Sequence, residues 1–300
     1  MKTSTIAHEW QSGSAPITVV MISLNEAHNM QGVLENLRGW AHDVILVDSC
    51  SVDDTVDIAL RHGVKVVQRR FKGFGDQWNF ALHLPISTPW TMKLDPDERL
   101  SNELKQEILQ KIDCADSSIS AFNIPIRLFF MTKRLPSVLN LTRLWRTGTV
   151  RFSDVNTNEH VLPNGKLENL LAEIEHLDSP NLDHWVIKQN RYTTAEAISQ
   201  FKGHSLSVSP KFFGSSLQRR MWLKKNFWFF PARYQILFLY HLLIVGSWRA
   251  GKAGWIWAHL RTEVYRQWEY KKYEIAITNC LPKSIPSQAG KPDPRVPYFD

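Results

Sequence analysis

The stretch ITVVMISLNEAHNMQGVLENL, residues 17–37, joins a strand pattern to a helix pattern. Its first seven residues are mostly apolar and rich in β-branched side chains, which is typical of a buried strand. Two polar residues follow, Asn25 and Glu26. Apolar side chains then recur at helical spacing, at Met30, Val33, Leu34 and Leu37. The stretch therefore predicts a strand, a polar loop and a helix.

The same unit repeats as far as about residue 112. Strand patterns recur as DVILVDS (43–49), VKVVQRR (64–70) and WTMKLD (90–95), and a helix pattern follows each of them. This alternation predicts an α/β fold with a mostly parallel sheet and helices on both faces. Ligands bind at the carboxyl ends of the strands in such sheets, so polar residues at those ends are candidate site residues.

Three acids follow the fourth strand pattern within four positions, at Asp95, Asp97 and Glu98. Carboxylate oxygens are ligands of hard cations such as Mg²⁺ or Mn²⁺, and a bound cation neutralises a diphosphate. The alternative is a solvated turn before a capped helix, with the acids paired to Lys93 or Arg99, because short acid-x-acid patterns are common.

Other strand ends carry polar groups too. Asp48 ends the second strand pattern, and a carboxylate there can accept hydrogen bonds from a nucleobase or ribose. Asn25 and Glu26 follow the first strand pattern, where they either bind the edge of a nucleotide or cap a helix. The loop FKGFGDQ (71–77) offers Lys72 beside two glycines, which permit close approach of a phosphate.

Composition bounds the function further. The chain has 300 residues, 43% of them hydrophobic and 22% charged, so disorder is expected only at the ends. A formal charge of +7 favours anionic partners. Three widely separated cysteines fit a reduced compartment, and the first residues lack the apolar run of a secretory signal.

Residues 211–272 are basic and aromatic. Their most apolar run, YQILFLYHLLIVGSW (234–248), is shorter than the roughly 20 residues that a bilayer crossing needs. Such a segment suits the plane of a membrane interface. The alternative is a helical lid whose aromatic side chains pack on the rest of the protein.

Four motifs in order carry a resemblance. VVMISLNEAHNMQGVLENL (19–37), DVILVDSCSVDDTVDIA (43–59), FKGFGDQWNFAL (71–82) and KLDPDERL (93–100) together resemble the inverting family 2 glycosyltransferases with a GT-A fold. The resemblance is closest to bacterial enzymes that add sugars to lipopolysaccharide core or lipid-linked polysaccharide. It implies a tail (1–15), a GT-A catalytic domain (16–205), a helical, basic and aromatic membrane-associating region (206–280) and a second tail (281–300).

The resemblance also assigns roles. The implied donor-binding residues are Asn25, Glu26, Asp48, Lys72, Gln77 and Asp95. Asp95 and Asp97 match the metal and diphosphate motif, written here as Asp-Pro-Asp. The implied catalytic residues are Asp97 and Glu159, the latter as the base that deprotonates the acceptor, with Glu98 in reserve. Arg143 and Arg146 either clamp phosphate or lie on a solvated strand face.

The function implied is transfer of a sugar from a nucleotide diphosphate donor, with a UDP-sugar as the expected donor and Mg²⁺ or Mn²⁺ as cofactor. The acceptor would be a glycolipid or polyprenyl-diphosphate-linked saccharide, and the enzyme would lie in the cytoplasm, peripherally on the anionic inner face of the cell membrane. Nucleic acid is not expected as a partner.

Two alternatives remain. A nucleotide-sugar pyrophosphorylase shares the α/β layout, but needs a glycine-rich, arginine-containing loop after its first strand. A non-enzymatic module that binds anionic lipid or nucleic acid explains the basic segment and leaves Asp48, Asp95 and Asp97 without a role.

Overall fold

The predicted alternation of strands and helices is present in the computed structural model of the chain. The structure describes residues 9–153, 161–201, 211, 213–214, 218–219, 222, 226–282 and 288–300. They group into two compact units: a first unit of Met1–Leu128, Val138–Asp178 and Gln288–Asp300, and a second unit of Phe129–Ser137 and Ser179–Ser287.

The first part of the first unit alternates strictly. Its elements are β1 (Ala15–Ser23), α1 (Ala27–Leu37), β2 (Ala41–Asp48), α2 (Thr55–Arg61), β3 (Lys65–Arg69), α3 (Phe74–Leu82) and β4 (Trp90–Lys93). Helix α1 buries the four apolar side chains that its spacing predicts. Strands β1 and β2 are buried along most of their length, as expected when helices cover both faces of a sheet.

The chain between Glu98 and His176 is more irregular. Its elements are β5 (Glu98–Leu100), α4 (Asn102–Cys114), β6 (Ile119–Phe130), β7 (Lys133–Arg146), β8 (Val150–Phe152), β9 (Val161–Pro163), β10 (Lys166–Asn169) and β11 (Ile174–His176). Strands β6 and β7 have 12 and 14 residues.

Ten strands form one sheet. Nine follow the order β12-β3-β2-β1-β4-β7-β6-β11-β5, where β12 is Tyr298–Phe299, and β10 pairs with β6. The strands from β12 to β4 are parallel, β7 is antiparallel to β4, and β11 is parallel to β6 but antiparallel to β5. The prediction of a mostly parallel sheet flanked by helices is confirmed, and the ends of β1, β2 and β4 meet at one edge.

The second unit is mainly helical. Its elements are α5 (Leu182–Phe201), a 3-10 turn (Phe227–Phe229), α6 (Arg233–Leu239), a π-helical turn (Tyr240–Ile244), a 3-10 turn (Ser247–Ala250) and α7 (Gly251–Thr278). Lys271 Nζ on α7 lies 2.6–2.8 Å from oxygens of Asn190, Thr193 and Thr194 on α5. Helix α5 lies within the range predicted for the catalytic domain (16–205), and it packs with the basic and aromatic region.

Within the described part of the chain, none of the helices is both long enough and apolar enough to cross a bilayer.

Residues 288–300 lie on the first unit. Strand β12 pairs with the edge strand β3, Gln68 N donates to Pro297 O at 2.7 Å, and Val296 is buried in the core. This segment belongs to the tail predicted at residues 281–300, and it supplies the outermost strand of the sheet.

Candidate functional site

The parallel register of β1 and β2 brings Asp48 to the edge of the sheet beside Ser23. The two residues are direct partners in the pairing, and Ser23 Oγ donates to Asp48 Oδ1 at 2.8 Å. Strand β4 pairs with the other side of β1, with Lys93 opposite Val20. The chain that leaves β4 therefore passes over the same edge, and it carries Asp95 and Asp97.

Asp48 is fully buried and holds the loop that follows it. Ser51 N donates to Asp48 Oδ2 at 2.8 Å, Ser51 Oγ donates to Oδ1, and Gln68 Nε2 donates to Oδ2 at 2.8 Å. With the bond from Ser23, each carboxylate oxygen accepts two hydrogen bonds, which uses both of its lone pairs. Asp48 thereby fixes the loop conformation, and its predicted role in reading a base stays a prediction.

Asn25 and Glu26 sit on the neighbouring loop. Asn25 has a left-handed backbone (φ 58°), a conformation that asparagine tolerates better than most residues. Its Oδ1 accepts from Val52 N at 2.8 Å, and its Nδ2 donates to Gln288 O at 3.2 Å. Glu26 N donates to Thr55 Oγ1, and the Glu26 carboxylate accepts from Asn29 Nδ2. These contacts join the loops after β1 and β2.

The loop at the start of α3 approaches the same edge. Gln77 is fully buried, with Nε2 3.4 Å from Ser49 Oγ and Oε1 3.2 Å from Arg69 Nη1. Arg69 also forms a bidentate ion pair with Asp76 and, chiefly through that hydrogen bond, lowers the pKa of the Asp76 carboxyl. Lys72 is exposed and lies three residues from α3's buried Gly75. The structure therefore places Gln77 near Asp48 and leaves Lys72 at the surface.

Asp95 and Glu98 share one arginine. Arg143 Nη2 on β7 donates to Asp95 Oδ2 at 3.0 Å and to Glu98 Oε1 at 2.6 Å, and Asp95 N donates to Glu98 Oε2 at 2.9 Å. Burial raises the pKa of Asp95, but Arg143 and Lys93 outweigh it and lower the pKa to about 2. Glu98 is fully buried, and its carboxylate accepts from Arg143 and from Asp95 N. Arg143 is thus part of the site.

Arg146 has a different role. Its guanidinium donates to the main-chain oxygens of Ala115, Asp116 and Ile119. These bonds fix the chain between α4 and β6. The guanidinium of Arg146 therefore binds main chain, whereas that of Arg143 binds the carboxylates.

A second cluster contains Asp97, His176 and Asp178. His176 Nε2 lies 3.6 Å from Asp97 Oδ2 and 3.7 Å from Asp178 Oδ1, while His176 Nδ1 lies 3.8 Å from Glu98 Oε1. One ligand atom from each of the three residues falls within 4.8 Å of the others. Two carboxylates and an imidazole form a donor set that suits Mn²⁺ or another divalent ion.

The three residues meet because β11 pairs with β5. In this antiparallel pairing His176 stands opposite Glu98, and Leu177 N donates to Asp97 O at 2.8 Å. Burial would lower the pKa of His176, but Asp97, Asp178 and Glu98 together raise it well above its usual value. The negative charge that raises this pKa is also the charge that attracts a cation.

Sequence reasoning missed His176 and Asp178. Both lie about eighty residues from Asp97, in the short motif EHLD (175–178), which by itself reads as an ordinary strand end. Only the pairing of two three-residue strands reveals their proximity. The predicted base Glu159 lies outside the described residues.

Comparison with known proteins gives a consistent result. The family model of glycosyl transferase family 2 matches residues 18–150. An uncharacterized glycosyltransferase of Rickettsia felis is 29% identical over 232 residues, covering 72% of this chain and 78% of that protein. The lipopolysaccharide core biosynthesis glycosyltransferase LpsC of Rhizobium meliloti is 26% identical over 253 residues, covering 80% of this chain and 86% of that protein.

A solved structure shares the fold. A mannosyltransferase from Pyrobaculum calidifontis, in complex with GDP-Man and Mn²⁺, superposes with a TM-score of 0.52 at 14% identity. The match covers 88% of this chain and 90% of that one, and at this identity it shows a shared fold only.

Proposed function

We propose that the chain is an inverting, metal-dependent glycosyltransferase of family 2, whose model matches residues 18–150, and that it transfers a sugar from a nucleotide diphosphate to a lipid-linked saccharide. The donor we propose is a UDP-sugar. The observation that carries the proposal is the cluster of Asp97, His176 and Asp178, in which Asp97 lies four residues after the end of β4.

Asp97, His176 and Asp178 would hold Mg²⁺ or Mn²⁺. When bound there, the ion supplies positive charge against the diphosphate that leaves with the nucleotide. The protein's own part is to keep the three ligands in place. The pairing of β5 with β11 positions His176, and Arg143 binds the neighbouring carboxylates of Asp95 and Glu98, which neutralises part of their negative charge.

The nucleotide is proposed to lie over the ends of β1 and β2. Asn25 and Glu26 stand on one loop, Asp48 fixes the next, and Gln77 approaches from α3. Lys72 is exposed on the chain that leads into α3, where a lysine can reach a phosphate. Together with Asp95, which Arg143 binds, these residues are the donor-binding set that the resemblance implies. The loops that carry Asn25, Glu26, Asp48 and Gln77 are joined by the contacts described above.

The reaction needs a base for the acceptor hydroxyl. We assign this role to Glu159, which would accept the proton while the hydroxyl oxygen attacks the anomeric carbon from the face opposite the diphosphate. Glu98, the reserve candidate, is fully buried against Arg143. That placement favours Glu159.

The acceptor is proposed to be a saccharide of lipopolysaccharide or exopolysaccharide synthesis carried on a lipid. The relationship to LpsC, whose name places it in lipopolysaccharide core biosynthesis, supports this class. A lipid-linked acceptor requires the enzyme to work at a membrane surface, and the second unit offers one face for it.

That face, which we call the apolar stripe, comprises Ile236, Leu239, Tyr240, Leu243 and Ile244. All five side chains are exposed, and their spacing puts them on one side of α6 and the π-helical turn. The sequence from Asn226 to Thr262 contains four bases and no acid. An exposed apolar stripe on a positively charged segment fits the interface of an anionic membrane.

A binding experiment tests the enzyme proposal. Thermal shift and calorimetry with UDP and GDP, each with and without Mn²⁺, should show stabilisation by UDP that depends on the metal. Equal results with and without Mn²⁺ would remove the metal from the proposal, and no binding of either nucleotide would contradict the donor assignment.

A further inference from the structure

Residues 288–293 cross the edge of the sheet at which the donor nucleotide is proposed to bind. From β12 on the outer edge, the segment reaches back over the loop after β2 to the loop after β1. Three of its main-chain groups form hydrogen bonds there. Gln288 O accepts from Asn25 Nδ2 at 3.2 Å, Gly290 N donates to Cys50 O at 2.6 Å, and Asp293 N donates to Gln68 Oε1 at 2.6 Å.

The three partners belong to the proposed base site. Asn25 is one of the implied donor-binding residues, and Cys50 O lies on the loop that Asp48 fixes. Gln68 uses its other side-chain atom, Nε2, to bind Asp48 Oδ2 at 2.8 Å. A chain of hydrogen bonds therefore runs from Asp293 N through Gln68 to Asp48.

The groups that the segment presents resemble those of a nucleobase edge. The imide edge of a uracil-type base offers one N–H between two carbonyl oxygens, and the peptide groups of the segment offer the same kinds of donor and acceptor. The side-chain oxygen of Gln68 and the carbonyl oxygen of Cys50 thus already accept hydrogen bonds from main-chain N–H groups of the segment. A base that binds at these loops has to replace the segment's bonds.

We infer that residues 288–293 form a built-in cover that competes with the nucleobase of the donor. The inference rests on the proposed function, because it takes the loops after β1 and β2 as the donor site. The segment lifts from Asn25, Cys50 and Gln68 when the donor binds, while β12 and buried Val296 stay on the sheet as an anchor. The apparent affinity for nucleotide is then reduced by the fraction of molecules that are covered.

A disulfide can lock the cover in place. A Cβ atom at Gly290 would lie 3.9 Å from Val52 Cβ, inside the range of about 3.5–4.5 Å found in disulfides. The test protein is the full chain with Val52→Cys and Gly290→Cys, in a background of Cys114→Ser and Cys280→Ser because those two cysteines are exposed. Cys50 is kept, since burial and then Asp48 raise the pKa of its thiol, which leaves it less reactive.

Calorimetry with UDP and Mn²⁺, repeated with GDP, compares the oxidised protein with the same sample after reduction. The oxidised form should bind UDP at least tenfold more weakly, and reduction should restore the affinity. The single variant Val52→Cys in the same background, treated with the same oxidant, should be unaffected. Equal or tighter binding by the locked form overturns the cover, because the segment would then be a wall of the site.

A second variant tests the same point without a crosslink. Gly290→Pro removes the N–H that donates to Cys50 O and should tighten UDP binding several-fold; weaker binding would speak against the cover. If neither the wild-type protein nor the reduced double variant binds UDP or GDP, the proposed function falls and the cover with it. If both bind and the locked form binds equally well, only the cover falls.

Discussion

His176 stands directly opposite Glu98 in the pairing of β11 with β5, and its imidazole faces three carboxylates. The Nε2 atom lies near the carboxylates of Asp97 and Asp178, and the Nδ1 atom lies near that of Glu98. The pairing of two short strands thus joins a histidine to the Asp-Pro-Asp motif, and Arg143 balances the remaining charge of that motif.

We expect His176→Ala to weaken Mn²⁺ binding by at least about tenfold, because it removes one of the three protein ligands of the proposed site. Calorimetry with MnCl₂ measures the effect. His83→Ala is the matched control, since His83 is exposed and directly follows the last residue of α3. Unchanged Mn²⁺ affinity in His176→Ala would remove this residue from the metal site.

We expect Arg143→Met to lower the free energy of unfolding by roughly 3–5 kcal/mol, the usual effect of removing one partner of a buried ion pair. Glu98 would be left as a buried carboxylate without its arginine. Arg151→Met, at an exposed arginine, should change stability by less than about 0.5 kcal/mol. Urea denaturation measures both, and equal effects in the two variants would show that Arg143 does not balance the acids.

The same variant should alter the response to acid. The pKa of Asp95 is lowered to about 2, so its charged form stabilises the fold above a pH near 4, and that contribution is lost as the pH falls toward 2. Without Arg143 the pKa of Asp95 should rise, and the loss should begin at higher pH. Denaturation curves between pH 2 and 5 detect the shift.

We expect His241→Phe to flatten the pH dependence of stability between pH 6.5 and 4. Burial, and then Arg261, lowers the pKa of His241 to about 4, so the unfolded chain binds the proton first and stability falls as the pH falls through this window. The contribution is up to about 3 kcal/mol. Thermal unfolding at pH 7 and pH 5 measures it, and identical pH slopes in variant and wild type would contradict the assignment.

We expect Glu159→Gln to bind UDP and Mn²⁺ as the wild type does while losing transfer by a factor of about 10² or more, the usual contribution of a general base. Calorimetry and a transfer assay with a lipid-linked acceptor separate the two effects. Normal turnover in Glu159→Gln would move the base to another residue.

We expect Ile244→Glu to lower partition into anionic vesicles by at least about tenfold, because an inserted isoleucine contributes roughly 1.5–3 kcal/mol. Its side chain is 77% exposed on the apolar stripe, and the control Ile277→Glu changes an isoleucine that is 64% exposed near the end of α7. Flotation with vesicles of phosphatidylglycerol and phosphatidylcholine measures both. Equal loss in the two variants would show that the stripe has no special role.

The sequence predicts the strand–helix alternation up to α4 well because each element there carries its own periodicity, as the buried face of α1 shows. It also predicts Asp48, Asp95 and Asp97 as site residues, since they lie at or shortly after the ends of apolar strands. It cannot find His176, because β5 and β11 have three residues each and their pairing is a long-range contact without a local pattern. For the same reason, the proline-rich segment around residue 290 reads as a tail, although its main chain binds the loops of the site.

Strand β12 has a consequence for solubility as well. Strand β3 is the only neighbour of β12 in the strand order of the sheet. Without Tyr298 and Phe299, the outer N–H and C=O groups of β3 would face solvent. An open strand edge is a template on which a second chain can pair, and repeated pairing leads to aggregation. The short closing strand, only two residues long, leaves little edge of its own for such growth.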